Sequence, residues 1–378
     1  EFLQDRLYVN DGTGNLERAT SALPQMHTSG SRVKAFDFDK DGDLDLFIGG
    51  RLVPKNYPFP ADSYLLENIS EKGKPLFKDA TPEIANDLQQ IGMVTDAVWT
   101  DYDQDGWTDL IIVGEWMPIT VLRNNLGNFQ NVTKKLDLDQ SNGWWFSILE
   151  EDFDHDGDPD YVLGNLGLNY KYQATQEETF DVYLNDFDKN NQNDIVLSYY
   201  DQGKKFPVRG RQSSSEQIPA IRRKFKDNDA FAVATLEDVY TKKDLERSLH
   251  YQVRSFASIY LENRDGNLVM HRLPNEAQVS SVNQIVARDV NGDGNPDLII
   301  AGNLYGSEVE TPRNDAGIGL YLQGDGQGGF TAVPAEESGL YIPGDTKDLA
   351  LIKIKGAAYL IAAKNDDYLQ FIKMKQRP

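Results

Sequence analysis

Residues 37–45 read DFDKDGDLD, and this nine-residue phrase decides the fold because it returns four more times. The other copies are DYDQDGWTD at 101–109, DFDHDGDPD at 152–160, DFDKNNQND at 186–194 and DVNGDGNPD at 289–297. A short apolar strand follows each copy, as in Leu46-Phe47-Ile48 and Leu298-Ile299-Ile300. Five copies in one register indicate an internal repeat. We call them loops 1 to 5 in chain order and number their positions 1 to 9.

A second phrase accompanies the acidic one: a strand that runs into an Asn, Asp or Gly turn. Examples are the strands that end at Asn10-Asp11-Gly12, Asn124-Asn125, Asn263 and Gly324-Asp325-Gly326. Short strands separated by such turns are typical of β-hairpins. Acidic loops that each open a hairpin predict stacked four-stranded sheets, and therefore an all-β chain folded as a β-propeller.

The spacing of the repeats predicts about seven blades in a single domain that spans residues 1–378. Five units begin at the five loops, and a degenerate sixth unit lies near Asp348, with apolar runs at 349–354 and 359–362. Propellers usually have roughly four to eight blades. The strands within residues 5–20 either complete the last blade or mark a seventh.

One segment, residues 213–249, lacks the acidic loops and Asn, Asp or Gly turns of the repeat and has apolar residues at helical spacing. Thr235 and Thr241 are predicted N-caps because Asp238 and Asp244 follow three residues later, as in a capping box. The sequence therefore predicts a helical insertion at 213–249 within the propeller.

The spacing of the acidic phrase suits a hard divalent cation. Such ions take roughly six to eight oxygen ligands, and a tight loop supplies them from positions 1, 3, 5 and 9 and from the carbonyl of position 7, while Gly at position 6 permits the turn. An EF-hand also needs a Glu at position 12. Position 12 is apolar here, as at Ile48 and Ile300, so the EF-hand interpretation fails.

The sequence thus predicts up to five Ca²⁺ ions. Their predicted ligands are Asp37, Asp39, Asp41, Asp43 and Asp45; Asp101, Asp103, Asp105, Trp107 and Asp109; Asp152, Asp154, Asp156, Asp158 and Asp160; Asp186, Asp188, Asn190, Gln192 and Asp194; and Asp289, Asn291, Asp293, Asn295 and Asp297. Loops 1 to 3 have four carboxylates at positions 1, 3, 5 and 9 and should bind most tightly. Loops 4 and 5 have three and an Asn, and loop 4 replaces the glycine with Asn191.

Composition excludes several classes of protein. The 378 residues carry a formal net charge of −22, which opposes binding to nucleic acid. The absence of cysteine excludes disulfides and thiolate metal sites. No run of 18 apolar residues is present that would predict a membrane-spanning helix. Because the chain starts at Glu1-Phe2 without a leader, we expect a processed product or a piece of a longer protein.

No catalytic constellation is evident. The four histidines, at 27, 155, 250 and 271, have no metal-ligand spacing and no nucleophile motif nearby. Trp144 and Trp145 should face opposite sides of a strand, where one ring either packs between blades or is exposed as a sugar-stacking or interface platform. A basic cluster either pairs with acidic blades or contacts a partner; it comprises Arg209, Arg211, Arg222, Arg223 and Lys224. We therefore expect no enzymatic activity.

The acidic repeats resemble FG-GAP/VCBS repeats, the calcium-loop blades also found in integrin α-subunit propellers. Longer phrases resemble the C-terminal propeller of large VCBS-repeat surface proteins of Bacteroidota; these are 143–145, 160–169, 234–237, 308–311 and 343–345. The ASPIC/UnbV domain that often accompanies that propeller is not found in this sequence. The resemblance implies a protein that is exported or anchored at the outer membrane of a Gram-negative bacterium.

The leading hypothesis is a non-enzymatic, calcium-binding extracellular β-propeller that binds a surface protein or a glycan, as part of a larger surface protein or complex. Membrane association would come only through missing parts or partners. The alternative hypothesis is a calcium-dependent polysaccharide lyase or another glycan-active enzyme, which needs a Lys, Tyr, Arg or His base. A third hypothesis is a structural spacer in a surface complex.

Overall fold

The computed structural model describes residues 3–71, 73–307 and 311–375. Residues 308–310, in the phrase at 308–311, and both ends of the predicted 1–378 domain lie outside the described residues. The described chain consists of antiparallel sheets with short helices between them, so the all-β class is confirmed. No helix in the described ranges has the length and apolar character to cross a bilayer.

Five sheets follow the repeat, and we call them sheets I to V. Sheet I contains β3 (Ser29–Phe36), β4 (Asp45–Leu52), β5 (Tyr64–Asn68) and β6 (Phe77–Asp79). Sheet II contains β7 (Met93–Thr100), β8 (Asp109–Met117), β9 (Thr120–Asn125), β10 (Asn128–Asn131) and, beside β8, β11 (Gly143–Trp144). Sheet III contains β12 (Ser147–Glu151), β13 (Asp160–Gly164), β18 (Ile259–Arg264) and β19 (Asn267–Arg272).

The series continues toward the C-terminus. Sheet IV contains β20 (Gln284–Arg288), β21 (Asp297–Ala301), β22 (Leu320–Gly324) and β23 (Phe330–Val333). Sheet V has three strands, β24 (Thr346–Ile354), β25 (Ala357–Lys364) and β26 (Gln370–Lys373), where the sequence showed a degenerate unit. A separate hairpin of β1 (Tyr8–Asn10) and β2 (Leu16–Arg18) precedes sheet I.

Consecutive sheets pack through their first strands. β7 packs on β3 and β4, β12 on β7, β20 on β12, and β24 on β20. Apolar side chains fill each junction, for example Phe47, Leu65 and Leu110 between sheets I and II. This packing of successive sheets on one another is consistent with propeller-like blades.

The described residues do not form a closed ring of blades. No comparable packing joins sheet V to sheet I, and the hairpin of β1 and β2 pairs with neither. The strands within 5–20 therefore do not complete the last sheet. The series contains five sheets, and the prediction of about seven blades is not confirmed.

Loop 4 lies outside this series. It opens β15 (Asp194–Asp201) in a further sheet with β14 (Phe180–Asn185), β16 (Lys204–Pro207) and β17 (Leu249–Val253), which we call the inserted sheet. This sheet lies between β13 and β18 in the chain, yet those two strands pair directly. The expectation that every acidic phrase starts a successive blade is therefore wrong for loop 4, because the connection inside sheet III folds into a sheet of its own.

The helices are short, and most of them interrupt the inserted sheet between β16 and β17. They are α2 (Arg211–Gln217), α3 (Pro219–Lys224), α4 (Asn228–Ala232), α5 (Leu236–Val239) and α6 (Lys242–Glu246). Thr235 and Asp238 form a full capping box on α5, and the Thr241 side chain caps α6, as the sequence predicted. The others are α1 (Thr81–Ile84), α7 (Ala335–Ser338) and 3₁₀ turns at Asn86–Leu88 and Asn275–Gln278.

Candidate metal centres

All five acidic loops share one hydrogen-bond frame. In loop 1, Asp39 Oδ1 accepts from the backbone N–H of Asp41 at 3.2 Å, and Asp41 Oδ1 accepts from that of Asp43 at 3.1 Å. The same two bonds, from position 5 to 3 and from position 7 to 5, recur in loops 2 to 5. Asn190 and Asn291 supply amide oxygens where the other loops supply carboxylates. The backbone thus curls around the side chains of alternate residues.

The aspartate at position 9 is buried and closes each loop. Asp45 is 1% exposed; its Oδ2 accepts from the N–H of Phe38 at 3.1 Å, and its Oδ1 accepts from that of Asn68 at 2.8 Å. The Oδ1 contact recurs at Asp109, Asp160 and Asp297, where the donor is the last or next-to-last residue of the third strand of the sheet. Position 9 therefore links the acidic phrase to the second repeated phrase.

Four loops bring three carboxylates together, with one ligand oxygen of each within 4.8 Å of the others. The groups are Asp37, Asp39 and Asp41; Asp101, Asp103 and Asp109; Asp152, Asp154 and Asp160; and Asp186, Asp188 and Asp194. Loop 5 forms no such group within the described residues. Its position 3 is Asn291, and Asp289 is exposed.

The first three loops also contain an unpartnered oxygen at position 1. Oδ1 of Asp37, Asp101 and Asp152 is buried and has no hydrogen-bond partner among the described residues. In loops 4 and 5 the equivalent oxygen accepts a backbone N–H, from Asn190 at 2.9 Å and from Gly292 at 2.6 Å respectively. A buried carboxylate oxygen without a donor is unfavourable unless a cation contacts it. The donor set of loops 1 to 3 therefore fits a hard divalent cation.

Burial and mutual repulsion shift the pKa values of these carboxyl groups. Burial, partly offset by hydrogen bonds to backbone N–H groups, raises the pKa of Asp45 and Asp109 to about 7 and that of Asp160 to about 6. Burial likewise raises the pKa of Asp101 and Asp194, and neighbouring loop carboxylates add to the shift. Ionisation of these carboxyl groups is therefore unfavourable in the metal-free loops, and a bound cation would offset the negative charge.

Loop 2 differs because an arginine side chain pairs with two of its carboxylates. Arg123, on β9, donates from Nε to Asp103 Oδ2 at 2.5 Å and from Nη2 to Asp105 Oδ2 at 2.7 Å. This guanidinium neutralises part of the charge of loop 2, so carboxylate count alone overstates its need for a metal ion.

The loops of the sheet series contact one another in a row. The residue at position 4 of loops 1 and 2 donates to the next loop: Lys40 Nζ donates to Gly106 O at 2.5 Å, and Gln104 Nε2 donates to Gly157 O at 3.0 Å. His155, which the sequence placed at a non-ligand position, lies 3.2 Å from Asn295 Oδ1. The row thus runs through loops 1, 2, 3 and 5 and omits loop 4.

Sequence reasoning missed a pair of buried asparagines that join the sheets. Asn124 and Asn263 are 0% exposed. Asn124 Nδ2 donates to Phe38 O in loop 1 at 2.9 Å, and Asn263 Nδ2 donates to Tyr102 O in loop 2 at 2.8 Å. The signal was present, since both occupy the next-to-last position of the third strand, in the second repeated phrase, but they were interpreted only as turn residues.

Sequence reasoning also missed a charged cluster on the inserted sheet. Asp181 is 0% exposed and accepts from Lys205 Nζ at 3.0 Å and Thr179 Oγ1 at 2.8 Å, and its Oδ1 lies 2.6 Å from His250 Nε2. Burial alone would raise the pKa of Asp181, but its hydrogen bonds and the charges of Lys205 and His250 together lower it. The cluster borders a cavity of about 480 Å³ that Lys204 and Lys242 also line.

The other sequence candidates have structural partners or exposed positions. Trp145 is 1% exposed and donates to Ser141 O at 3.1 Å, whereas Trp144 lies on the opposite side, in a separate aromatic cluster. Arg211 donates to the carbonyls of Phe225 and Lys226, so it fastens the helical segment. Arg222, Arg223 and Lys224 are exposed on α3.

Comparisons with known proteins support the repeat. A family model described as FG-GAP-like repeat matches residues 3–48 and 101–163, which supports the FG-GAP repeat family for this chain. No curated protein sequence matches. One similar solved structure is the Vibrio cholerae biofilm matrix protein Bap1, 12% identical, with 95% of this chain and 70% of that chain covered and a TM-score of 0.35. Another is BBS1N in complex with ARL6DN, soaked with lead, 10% identical, with 95% of each chain covered and a TM-score of 0.23.

Proposed function

We propose that this chain is a non-enzymatic, calcium-stabilised β-propeller-type domain that binds a surface protein or a glycan outside the cell. The observation that carries the calcium part is the buried, unpartnered Oδ1 at position 1 of loops 1 to 3. FG-GAP repeats usually occur in extracellular proteins, which supports the location. The resemblance of the longer phrases to surface proteins of Bacteroidota supports an outer-membrane setting within a larger protein or complex.

Calcium suits these loops better than other metals. The donors are carboxylate, amide and carbonyl oxygens without imidazole or thiolate, a set that favours hard cations. Magnesium demands near-octahedral geometry at about 2.0–2.1 Å and gives up water reluctantly, so a curled loop with many oxygens favours the larger ion. Five bound Ca²⁺ ions would reduce the formal charge from −22 to −12.

Metal stoichiometry tests the proposal. After dialysis against calcium, mass spectrometry of the metal content should find at least three Ca²⁺ per chain, and Asp37→Asn and Asp152→Asn should each remove one. Asp366→Asn is the matched control, because Asp366 is exposed and belongs to none of the carboxylate groups. A chain without bound calcium, or variants with unchanged content, would contradict the assignment.

The Asp181–His250 cluster favours a second candidate function. A histidine oriented by a buried carboxylate beside lysines is suited to acid–base chemistry on an anionic ligand, as a polysaccharide lyase requires. Acidic polysaccharides incubated with the protein and calcium would then give the ultraviolet absorbance of an unsaturated product. Turnover that His250→Gln abolishes would replace the binding proposal, and absence of turnover would leave the lyase without support.

A further inference from the structure

An aromatic cavity of about 300 Å³ lies where sheets I and II meet the inserted sheet and the connection after β21. Arg51 and Glu115 line it from β4 and β8. Six aromatic side chains form much of the wall: Tyr57, Trp144, Phe146, Tyr170, Tyr172 and Phe180. The inserted sheet supplies Phe180, so the segment that interrupts sheet III helps to build the cavity.

Three polar groups in this lining have no hydrogen-bond partner among the described residues. Arg51 Nη2 pairs with Glu115 Oε2, and Tyr57 donates to Glu115 Oε1 at 2.9 Å while accepting from Trp116 Nε1 at 2.6 Å. Arg51 Nη1, Trp144 Nε1 and Thr311 Oγ1, however, are buried and have no hydrogen-bond partner in the part of the chain that the structure describes. Buried polar groups in native proteins are almost always satisfied by protein or water, so a ligand that enters the cavity would have to supply hydrogen bonds to these groups.

The donor on Trp144 is held in place by its neighbours. The Trp144 ring meets Trp116, Phe180 and Phe256 edge to face, with centroids 5.1, 5.9 and 5.8 Å away. Trp116 in turn stacks on Phe180 at 5.7 Å. A wall fixed in this way needs little ordering when a ligand binds, which favours affinity.

Charge and size restrict the ligand. Glu115 disfavours an anion and Arg51 disfavours a cation, so a neutral ligand that both donates and accepts hydrogen bonds fits the polar side. The aromatic wall favours a ligand with an apolar face. Benzene, with six heavy atoms, binds in a cavity of about 150 Å³, so about 300 Å³ corresponds to roughly twice as many atoms. A hexose has about that many heavy atoms. Its hydroxyl groups both donate and accept hydrogen bonds, and its C–H groups form an apolar face.

We infer that this cavity binds one neutral sugar residue, as a free sugar or as the end of a glycan chain. The Arg51 and Trp144 N–H groups donate to its hydroxyl or ring oxygens, Glu115 accepts from a hydroxyl, and the aromatic side chains contact its C–H face. The inference rests on the glycan branch of the proposed function and makes it specific. It uses no metal loop, so the two can fail separately.

Sugar binding by the cavity can be tested by saturation-transfer NMR and tryptophan fluorescence on the calcium-loaded full chain. The probes are the methyl glycosides of glucose, galactose, mannose and N-acetylglucosamine. At least one glycoside should bind, and Trp144→Phe, which keeps an aromatic ring but removes the N–H, should weaken it about tenfold. Arg51→Lys should weaken it similarly. Trp99→Phe is the matched control, because Trp99 lies outside the cavity and donates to Lys34 O. An oligosaccharide that binds more tightly than its terminal methyl glycoside identifies a glycan end, and equal affinity identifies a free sugar.

No binding by any of the four glycosides would overturn the inference, as would binding that Trp144→Phe leaves unchanged. Binding of benzoate in preference to the glycosides would also overturn the neutral-sugar assignment. A thermal melt of each variant with and without calcium separates the two proposals. Unchanged calcium stabilisation with lost sugar binding supports the cavity assignment, and lost calcium stabilisation alone points to failure of the metal proposal.

Discussion

Asn124 connects two sheets through one buried side chain. Its Nδ2 donates to Phe38 O in loop 1 and to Thr108 O in loop 2, while its Oδ1 accepts from Gly127 N at 2.8 Å. Asn263 repeats the pattern one sheet later, with Tyr102 O and Gly266 N. In sheet IV the corresponding position is Gly324, which has no side chain for this bridge. The asparagines therefore connect sheet II to loop 1 and sheet III to loop 2.

Replacing Asn124 with Ala should destabilise the protein by about 2–4 kcal/mol, because it leaves buried backbone groups without partners. Urea unfolding with a constant m-value would measure this. Asn128→Ala is the matched control on the same hairpin, since Asn128 is exposed and its side chain makes only a 3.5 Å contact with Leu126 O. Equal effects of the two substitutions would mean that the bridge contributes nothing.

The loops should differ in how much the loss of one carboxylate lowers the free energy of unfolding. Asp39→Ala damages a loop with an unpartnered position-1 oxygen, whereas Asp188→Ala damages loop 4, where a backbone N–H satisfies that oxygen. At calcium about 100 times the dissociation constant, a site contributes about 2.7 kcal/mol, so losing loop 1 should cost that much and losing loop 4 clearly less. Asp103→Ala should fall between them, since it also frees Arg123. Equal losses in thermal melts across a calcium titration would refute this ranking.

Among the elements, the acidic loops act as a connected row. Lys40, Gln104 and His155, at position 4, have positive φ values of 65°, 52° and 62° and reach the following loop of the series. Collapse of one loop would therefore disturb its neighbour as well as its own sheet. Loop 4 has the same local conformation, with φ 61° at Lys189, but stands apart in the inserted sheet.

The pH dependence of the metal-free protein should follow from position 9. Burial raises the pKa of Asp45 and Asp109 to about 7 from the usual 3.8, so between these values the folded chain keeps protons that the unfolded chain has lost. Stability of the metal-free protein should therefore fall as the pH rises from about 4 to about 7. Its melting temperature should be several degrees higher at about pH 5 than at about pH 7.5. The stabilisation by calcium should increase over the same range, because binding needs ionised carboxylates.

Calorimetry would measure the melting temperature at each pH for metal-free protein, prepared on a chelating resin, and for the same protein with calcium added back. Asp45→Asn should flatten the slope of the metal-free series, since it removes one titrating group. A metal-free melting temperature that rises with pH would contradict the assignment.

At the scale of the whole molecule, the sequence predicted the strands and loops better than their connections. Each acidic phrase does precede a strand, since the local turn chemistry and the apolar runs are encoded in adjacent residues. The position of loop 4 was not predictable, because the pairing of β13 with β18 joins residues almost a hundred positions apart. Local pattern does not specify which strands pair across such a distance.

The candidate sites divide in the same way. The carboxylate groups follow from the spacing of a single loop, so they were visible in the sequence. The aromatic cavity, the Asp181–His250 contact and the asparagine bridges each combine residues from separate elements. Their residues carry no local motif, and only the fold brings them together.

Thermal unfolding with and without calcium tests the central claim most directly. Exhaustive chelation, with the metal content verified, should lower the melting temperature by many degrees at neutral pH, and millimolar calcium should restore it while magnesium restores little. Such a result would show that the acidic loops need a cation to hold the sheets together. An unchanged melting temperature after complete chelation, or full rescue by magnesium, would contradict the account.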